Sequence, residues 1–107
     1  MEISTKESSG VAIVSITGSI DALTSEAVAK TLSGKKQVVL DLGEVEFMSS
    51  AGLRTILGAL KESRSLGGDL RIAAAQPGVE KVLKISGFTS ILKSFGDVKT
   101  AVESFAA

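Results

Sequence analysis

The chain has 107 residues, 44% of them hydrophobic and 22% charged, enough for one soluble globular core and too few for two. Twelve Lys+Arg balance twelve Asp+Glu, so the basic excess that nucleic-acid or anionic-membrane binding requires is missing. Histidine and cysteine are absent, which removes the usual general base, the commonest zinc ligands and any disulfide framework.

The opening MEISTKESSG is polar, and no apolar run approaches the ~18 residues of a membrane span. A cytoplasmic domain with no direct membrane insertion is expected. Met1 to Lys6 alternates apolar with polar, as a half-buried edge strand does. Ser8-Ser9-Gly10 signals a turn, and Val11 to Thr17 reads as a more buried strand, so the two form a hairpin. Gly18-Ser19-Ile20-Asp21 breaks the pattern. Thr24 then opens a helix, with Leu23 and Val28 in the staple positions around it and Glu26 in the first turn. Ala27, Val28, Thr31 and Leu32 share its inner face, and Ser33-Gly34 ends it.

Gln37 to Leu42 reads as a central strand, because Val38, Val39 and Leu40 run together without alternation. After EFMSSAG, Leu53, Ile56, Leu57 and Leu60 fall at helical spacing, Arg54, Lys61 and Ser65 face away, and Gly67-Gly68 stops the helix. Leu57, at the centre of the stripe, is expected in the core. Asp69 to Ala74 is a further strand. Pro77 suits a first helical turn, with Val79, Val82 and Leu83 inward and Gly87 closing the end before Phe88. Ile91, Lys93 and Phe95 alternate as a short strand. Asp97 caps a last helix whose inner stripe is Val98, Ala101, Val102 and Phe105. The order ββαβαβαβα predicts one α/β domain over residues 1–107, with parallel strands joined through about four helices and an antiparallel hairpin at the N-terminal edge of a small mixed β-sheet.

Ser49 and Ser50 fall where a strand's carboxyl end meets a helix, the usual functional position in such sheets. Free backbone N–H groups and a partial positive charge at the helix start suit an anion there. Spacing alone favours the plainer reading, a serine that only caps the helix and a Gly52 that only permits close packing. No lysine follows the glycine as a phosphate-binding Walker loop needs, and GxSxG is absent. Asp41, Glu44 and Glu46 lie close in sequence, a pattern more typical of solvated loop carboxylates than of a catalytic or metal site. Asp21 follows an apolar strand and precedes a helix; it either turns the chain or lines the surface around Ser50.

GSIDALTSEAV, then VVLDLGEVEFMSSAGLRTILGALKESRSLGGDLRIA, then VEKVLKISGFTSILKSFGDVKTAVESF together resemble the STAS domain, in particular the bacterial anti-sigma-factor antagonists. The resemblance runs nearly end to end and implies a mixed sheet with helices mainly on one face. It implies a domain that is not itself an enzyme and holds no cofactor. The partner would be an anti-sigma factor with serine kinase activity, which binds the ATP, and a PP2C-type phosphatase would reset the system. In that family the serine two residues before the motif glycine is the phosphoacceptor, here Ser50, with Ser49 a minor candidate. The implied partner surface includes Asp21 and Thr24, the stretch Ser49, Ser50, Ala51 and Gly52, and Arg54. Two positions depart from the family pattern: Ser49 stands where an acidic residue is usual, and Ala51 where Ser or Thr is common. The rival roles are a STAS subunit of a lipid- or anion-transport complex, in which the serine need not be phosphorylated, and a small enzyme or nucleotide binder built on the Ser50 loop.

Overall fold

The computed structural model describes residues 1–106. Five strands form one sheet in the order β1-β2-β3-β4-β5: β1 (Glu2–Ser8), β2 (Val11–Ile20), β3 (Gln37–Met48), β4 (Asp69–Ala73) and β5 (Ser94–Phe95). β1 pairs antiparallel with β2, and every other neighbouring pair is parallel. The helices are α1 (Ser25–Leu32), α2 (Ser50–Ser65), α3 (Pro77–Ile85) and α4 (Val98–Glu103), with short 3-10 turns at Phe88–Ser90 and Ser104–Ala106. The mixed α/β sheet and the helix count are those expected from the sequence.

Two apolar clusters lie on opposite faces of the sheet. The larger joins Val14, Ile16 and Ile20 of β2 and Val38, Leu40 and Leu42 of β3 to α1, α2 and α3 through Val28, Leu32, Ile56, Leu60, Val79 and Leu83. The smaller joins Val11, Ile13, Val39 and Ala73 to Ala101 of α4, with Val98, Val102 and Phe105 packed against it. Val38 to Leu40 are fully buried because β3 is covered on both faces.

Both central strands run further than their sequence pattern suggests. β2 continues through Gly18 to Ile20, with Gly18 at φ +97°. Residues paired in step up to Ser15↔Asp41 resume at Thr17↔Glu44, and Gly18↔Val45 is followed by Ser19↔Phe47. β3 therefore holds an extra residue at each of two bulges. The bulges change the spacing of the inward side chains to Leu40, Leu42, Val45, Met48, all of which stay on one face. Simple alternation fails after Leu42, although the strand does not.

Several side chains depart from expectation. Leu23 is 93% exposed and forms no staple with the buried Val28. On β1 only Ile3 is partly buried, and Thr5 is exposed, since an edge strand outside the helical layer has little to pack on. On α2 the buried line is Gly52, Ile56, Leu60 and Ser63, and Leu57 is half-buried at its side. Near β5 it is Leu92 that enters the core while Ile91 stays exposed, because the 3-10 turn at Phe88–Ser90 shifts the phase. The predicted stripe of α4 and its Asp97 cap are as expected, with Asp97 Oδ1 accepting from the Thr100 amide at 2.7 Å.

Candidate functional site: the carboxyl edge of β2 and β3

β2 and β3 end side by side, at Ile20 and Met48. From this edge the chain enters α1 through Asp21 to Thr24, and α2 through Ser49. The first connection is a tight hydrogen-bonded turn. Asp21 Oδ1 accepts from the amides of Leu23 (3.0 Å) and Thr24 (3.2 Å), and the Asp21 backbone oxygen accepts from the Ser25 amide at 2.9 Å. Thr24 precedes α1 as predicted, but its hydroxyl makes no bond to the helix it opens. It donates back to the Ser19 carbonyl (2.8 Å) and accepts from the Asp21 amide (3.0 Å). Asp21 thus builds the turn, and the turn holds Leu23 out in solvent.

The second connection places the two serines differently at the helix start. Ser49 is the N-cap of α2: its backbone is extended, and its Oγ accepts from the Gly52 amide at 3.3 Å. Its amide donates to the Ile20 carbonyl at 2.9 Å. Ser50 is the first helical residue and is exposed, with Ala51 half-buried beside it. Gly52 is buried because the helix start lies against β2, where a Cβ would stand 2.6 Å from the Ile20 oxygen and 2.9 Å from its Cγ2. The Ile20 carbonyl therefore joins both connections, and Asp21, Thr24, Ser49, Ser50 and Gly52 belong to one edge. Arg54 is exposed one turn into α2. It borders a shallow groove between α1 and α2 that also holds Ala29, Ser33, Thr55, Gly58 and Glu62.

The sequence reading missed the exposed Leu23 and Phe47, 93% and 55% accessible, at the same edge. The signal for Leu23 was the D-x-x-T turn that fixes its backbone; for Phe47 it was an aromatic two residues before Ser49, with Met48 between them. Asp41 is not part of this edge chemistry: it accepts from the Ser15 hydroxyl (2.9 Å) and the Gly43 amide (3.0 Å), while Glu44 and Glu46 face solvent. Among the described residues no three His, Cys, Asp or Glu side chains converge as a metal-binding group. No described helix is long and apolar enough to cross a membrane.

The STAS-domain family model matches residues 2–101. This chain belongs to the STAS-domain family. The chain is 33% identical over 110 residues to BtrV of Bordetella bronchiseptica, a protein provisionally assigned as an anti-sigma factor antagonist, covering 98% of this chain and 95% of that one. It is 30% identical over 108 residues to the anti-sigma F factor antagonist of Paenibacillus polymyxa, covering 95% and 92%. Among solved structures, one of a Thermotoga maritima protein with the same provisional assignment superposes at a TM-score of 0.92 with 22% identity, covering 98% and 95%. The antagonist SpoIIAA superposes at 0.82 in its unphosphorylated form (96% and 95% covered) and, as the Bacillus protein, at 0.74 in its phosphorylated form (96% and 98%), each at 17% identity. A sulfate transporter family protein from Wolinella succinogenes shares the STAS fold at 0.77 and 19% identity, covering 92% and 87%. The fold by itself is therefore common to both kinds of protein.

Proposed function

We propose that this STAS domain is an anti-sigma-factor antagonist switched by phosphorylation at Ser50. Unmodified, it binds an anti-sigma factor that is also a serine kinase, and so frees a sigma factor. In the bound state the Ser50 hydroxyl passes its proton to a base of the kinase, and its Oγ attacks the γ-phosphorus of the partner's ATP. The new O–P bond forms as the bond to the bridging oxygen breaks, and ADP leaves. The phosphorylated domain is released, and a PP2C-type phosphatase delivers water to the phosphorus to restore serine and inorganic phosphate. The domain contributes an acceptor and a surface, and ATP belongs to the partner.

The observation that carries this reading is the division of labour between the two serines. Ser49 is held as a cap, while Ser50 stands exposed at the edge shared with the Asp21 turn. Leu23 and Phe47 add apolar area on that edge, of the kind that anchors a protein partner. Arg54 and Thr24 flank it. A phosphate adds about −1.5 to −2 charges at neutral pH, on a surface that the complex must desolvate. Loss of affinity of roughly 5- to 150-fold is the range such couplings occupy. The test is intact mass after incubation with neighbouring-gene serine kinases and ATP, with peptide mapping, followed by titration of the kinase with unmodified, phosphorylated and Ser50→Asp protein. One phosphate on Ser50 and weaker binding by the modified forms are expected. Equal affinities, or co-purification with a membrane ATPase in place of a soluble kinase, would overturn the reading.

A further inference from the structure

Arg54 follows Ser50 by four residues on α2, and both are exposed. Helical residues at i and i+4 share a face, with Cβ atoms about 5–6 Å apart. Because each Cα–Cβ bond tilts toward the helix N-terminus, a long side chain at position 54 leans over the turn that carries Ser50. The ion pairs among the described residues are Lys30–Glu26, Arg64–Asp69 and Arg71–Asp69, and Arg54 is in none of them. The first turn of α2 holds no acidic residue.

The other charges around this turn are engaged or turned outward. Asp21 gives Oδ1 to its own turn, Glu26 pairs with Lys30, and Glu62 accepts from the Gly34 amide. Glu44 and Glu46 of β3 are exposed. The backbone offers an anion less than a bare helix start would. Ser49 donates to Ile20, Gly52 to the Ser49 hydroxyl and Leu53 to the Ser49 carbonyl.

We infer that Arg54 is the internal counter-cation of phosphorylated Ser50. Its guanidinium folds back one turn onto the phosphate, with the anion N-terminal to the cation as the helix dipole prefers, and in a fork geometry that suits phosphate oxygens. The inference rests on the phosphoacceptor reading of Ser50 and adds a second component to the switch. Phosphorylation would place a dianion at the edge and at the same time withdraw a guanidinium that the unmodified domain offers its partner.

The test uses the full chain with phosphoserine genetically encoded at position 50, so that no kinase is needed. The parent, Arg54→Gln and Arg54→Lys are compared by phosphorus NMR titration, with circular dichroism as the check on folding. The second phosphate ionisation of the parent should lie lower than that of Arg54→Gln by roughly half a pH unit, a gap that shrinks in ~1 M salt. Arg54→Lys, which keeps the charge, should retain most of the shift. Identical titrations for the parent and Arg54→Gln, or a lysine variant that behaves as the glutamine one, would overturn the pairing. The phosphoacceptor reading stands or falls separately: natural phosphate mapped to another residue would remove it while leaving the encoded titration unchanged.

Discussion

A Cβ on Gly52 would lie 2.6 Å from the carbonyl oxygen of Ile20, inside any permitted contact. Gly52→Ala should therefore force α2 away from β2, at a cost of roughly 1–3 kcal/mol. Gly58 lies on the same helix with nothing within 4 Å of its virtual Cβ. Gly58→Ala should stabilise by roughly 0.5–1 kcal/mol through helix propensity alone. Urea midpoints of the two variants check this. Opposite signs are expected, and a neutral Gly52→Ala would mean that α2 does not rest on Ile20.

The two serines should separate in a stability measurement. Ser49→Ala removes the cap on the Gly52 amide and should cost about 1 kcal/mol. Ser50→Ala removes an exposed hydroxyl and should fall within about 0.5 kcal/mol of the parent. In the kinase reaction the order reverses: Ser50→Ala should abolish incorporation and Ser49→Ala should retain it. Thermal unfolding beside a phosphorylation assay reads both.

Ile56 and Leu57 are neighbours with different surroundings, fully buried and half-buried. Ile56→Ala should cost roughly 2–5 kcal/mol by opening a cavity among α2, β2 and β3. Leu57→Ala should cost about 1 kcal/mol. Equal losses in denaturant titration would place the helix in a different rotation about its axis.

Asp69 is one source of acid sensitivity, beside the exposed Asp97, whose hydrogen bonds with Thr100 also hold it below its usual value. Burial raises its pKa, but hydrogen bonds from Arg71 and Arg64 at 3.0 Å, with their charges, outweigh burial and hold the carboxyl below its usual value. A carboxyl depressed in the folded state contributes stability that is present above its unfolded pKa and is lost as pH falls through the folded one. The loss should set in below about pH 4. Most of it should come from Arg71, whose side chain is 12% exposed, since Arg64 at 47% is more screened by water. Asp69→Asn should lower stability at neutral pH and flatten the acid limb of a stability–pH profile. An unchanged acid limb would put the sensitivity elsewhere.

The sequence made some of this legible and concealed the rest for identifiable reasons. The Val38–Leu40 run marked a doubly covered strand because burial on both faces removes alternation. The same logic lost the second half of β3, where two bulges alter the spacing of inward residues at Leu42, Val45 and Met48. Ser49 and Ser50 were visible as a pair at a helix start, but their roles differ by one backbone conformation, extended at 49 and helical at 50, which composition does not encode. Leu23 looked like a staple by position. The Asp21 and Thr24 side chains bind the turn to itself and to Ser19, and that alternative network leaves the leucine outside.

At its far end α2 is fastened as firmly as at its start. The Ser63 hydroxyl donates to the Lys35 carbonyl at 2.9 Å, the Gly68 amide returns to Ser63, and the Asp69 amide donates to the Lys36 carbonyl. A Cβ on Gly68 would collide with that Lys36 oxygen. The helix is thus a rod pinned at both ends, to the residues just before α1 and just after it. Such a rod has no free stroke. Under the proposed switch, these contacts at both ends would resist a phosphate at one tip pushing the rod along its axis or turning it to alert a distant surface. A partner that reads the proposed mark on Ser50 would then have to touch that edge, and the domain would work as a stamped ticket rather than as a lever.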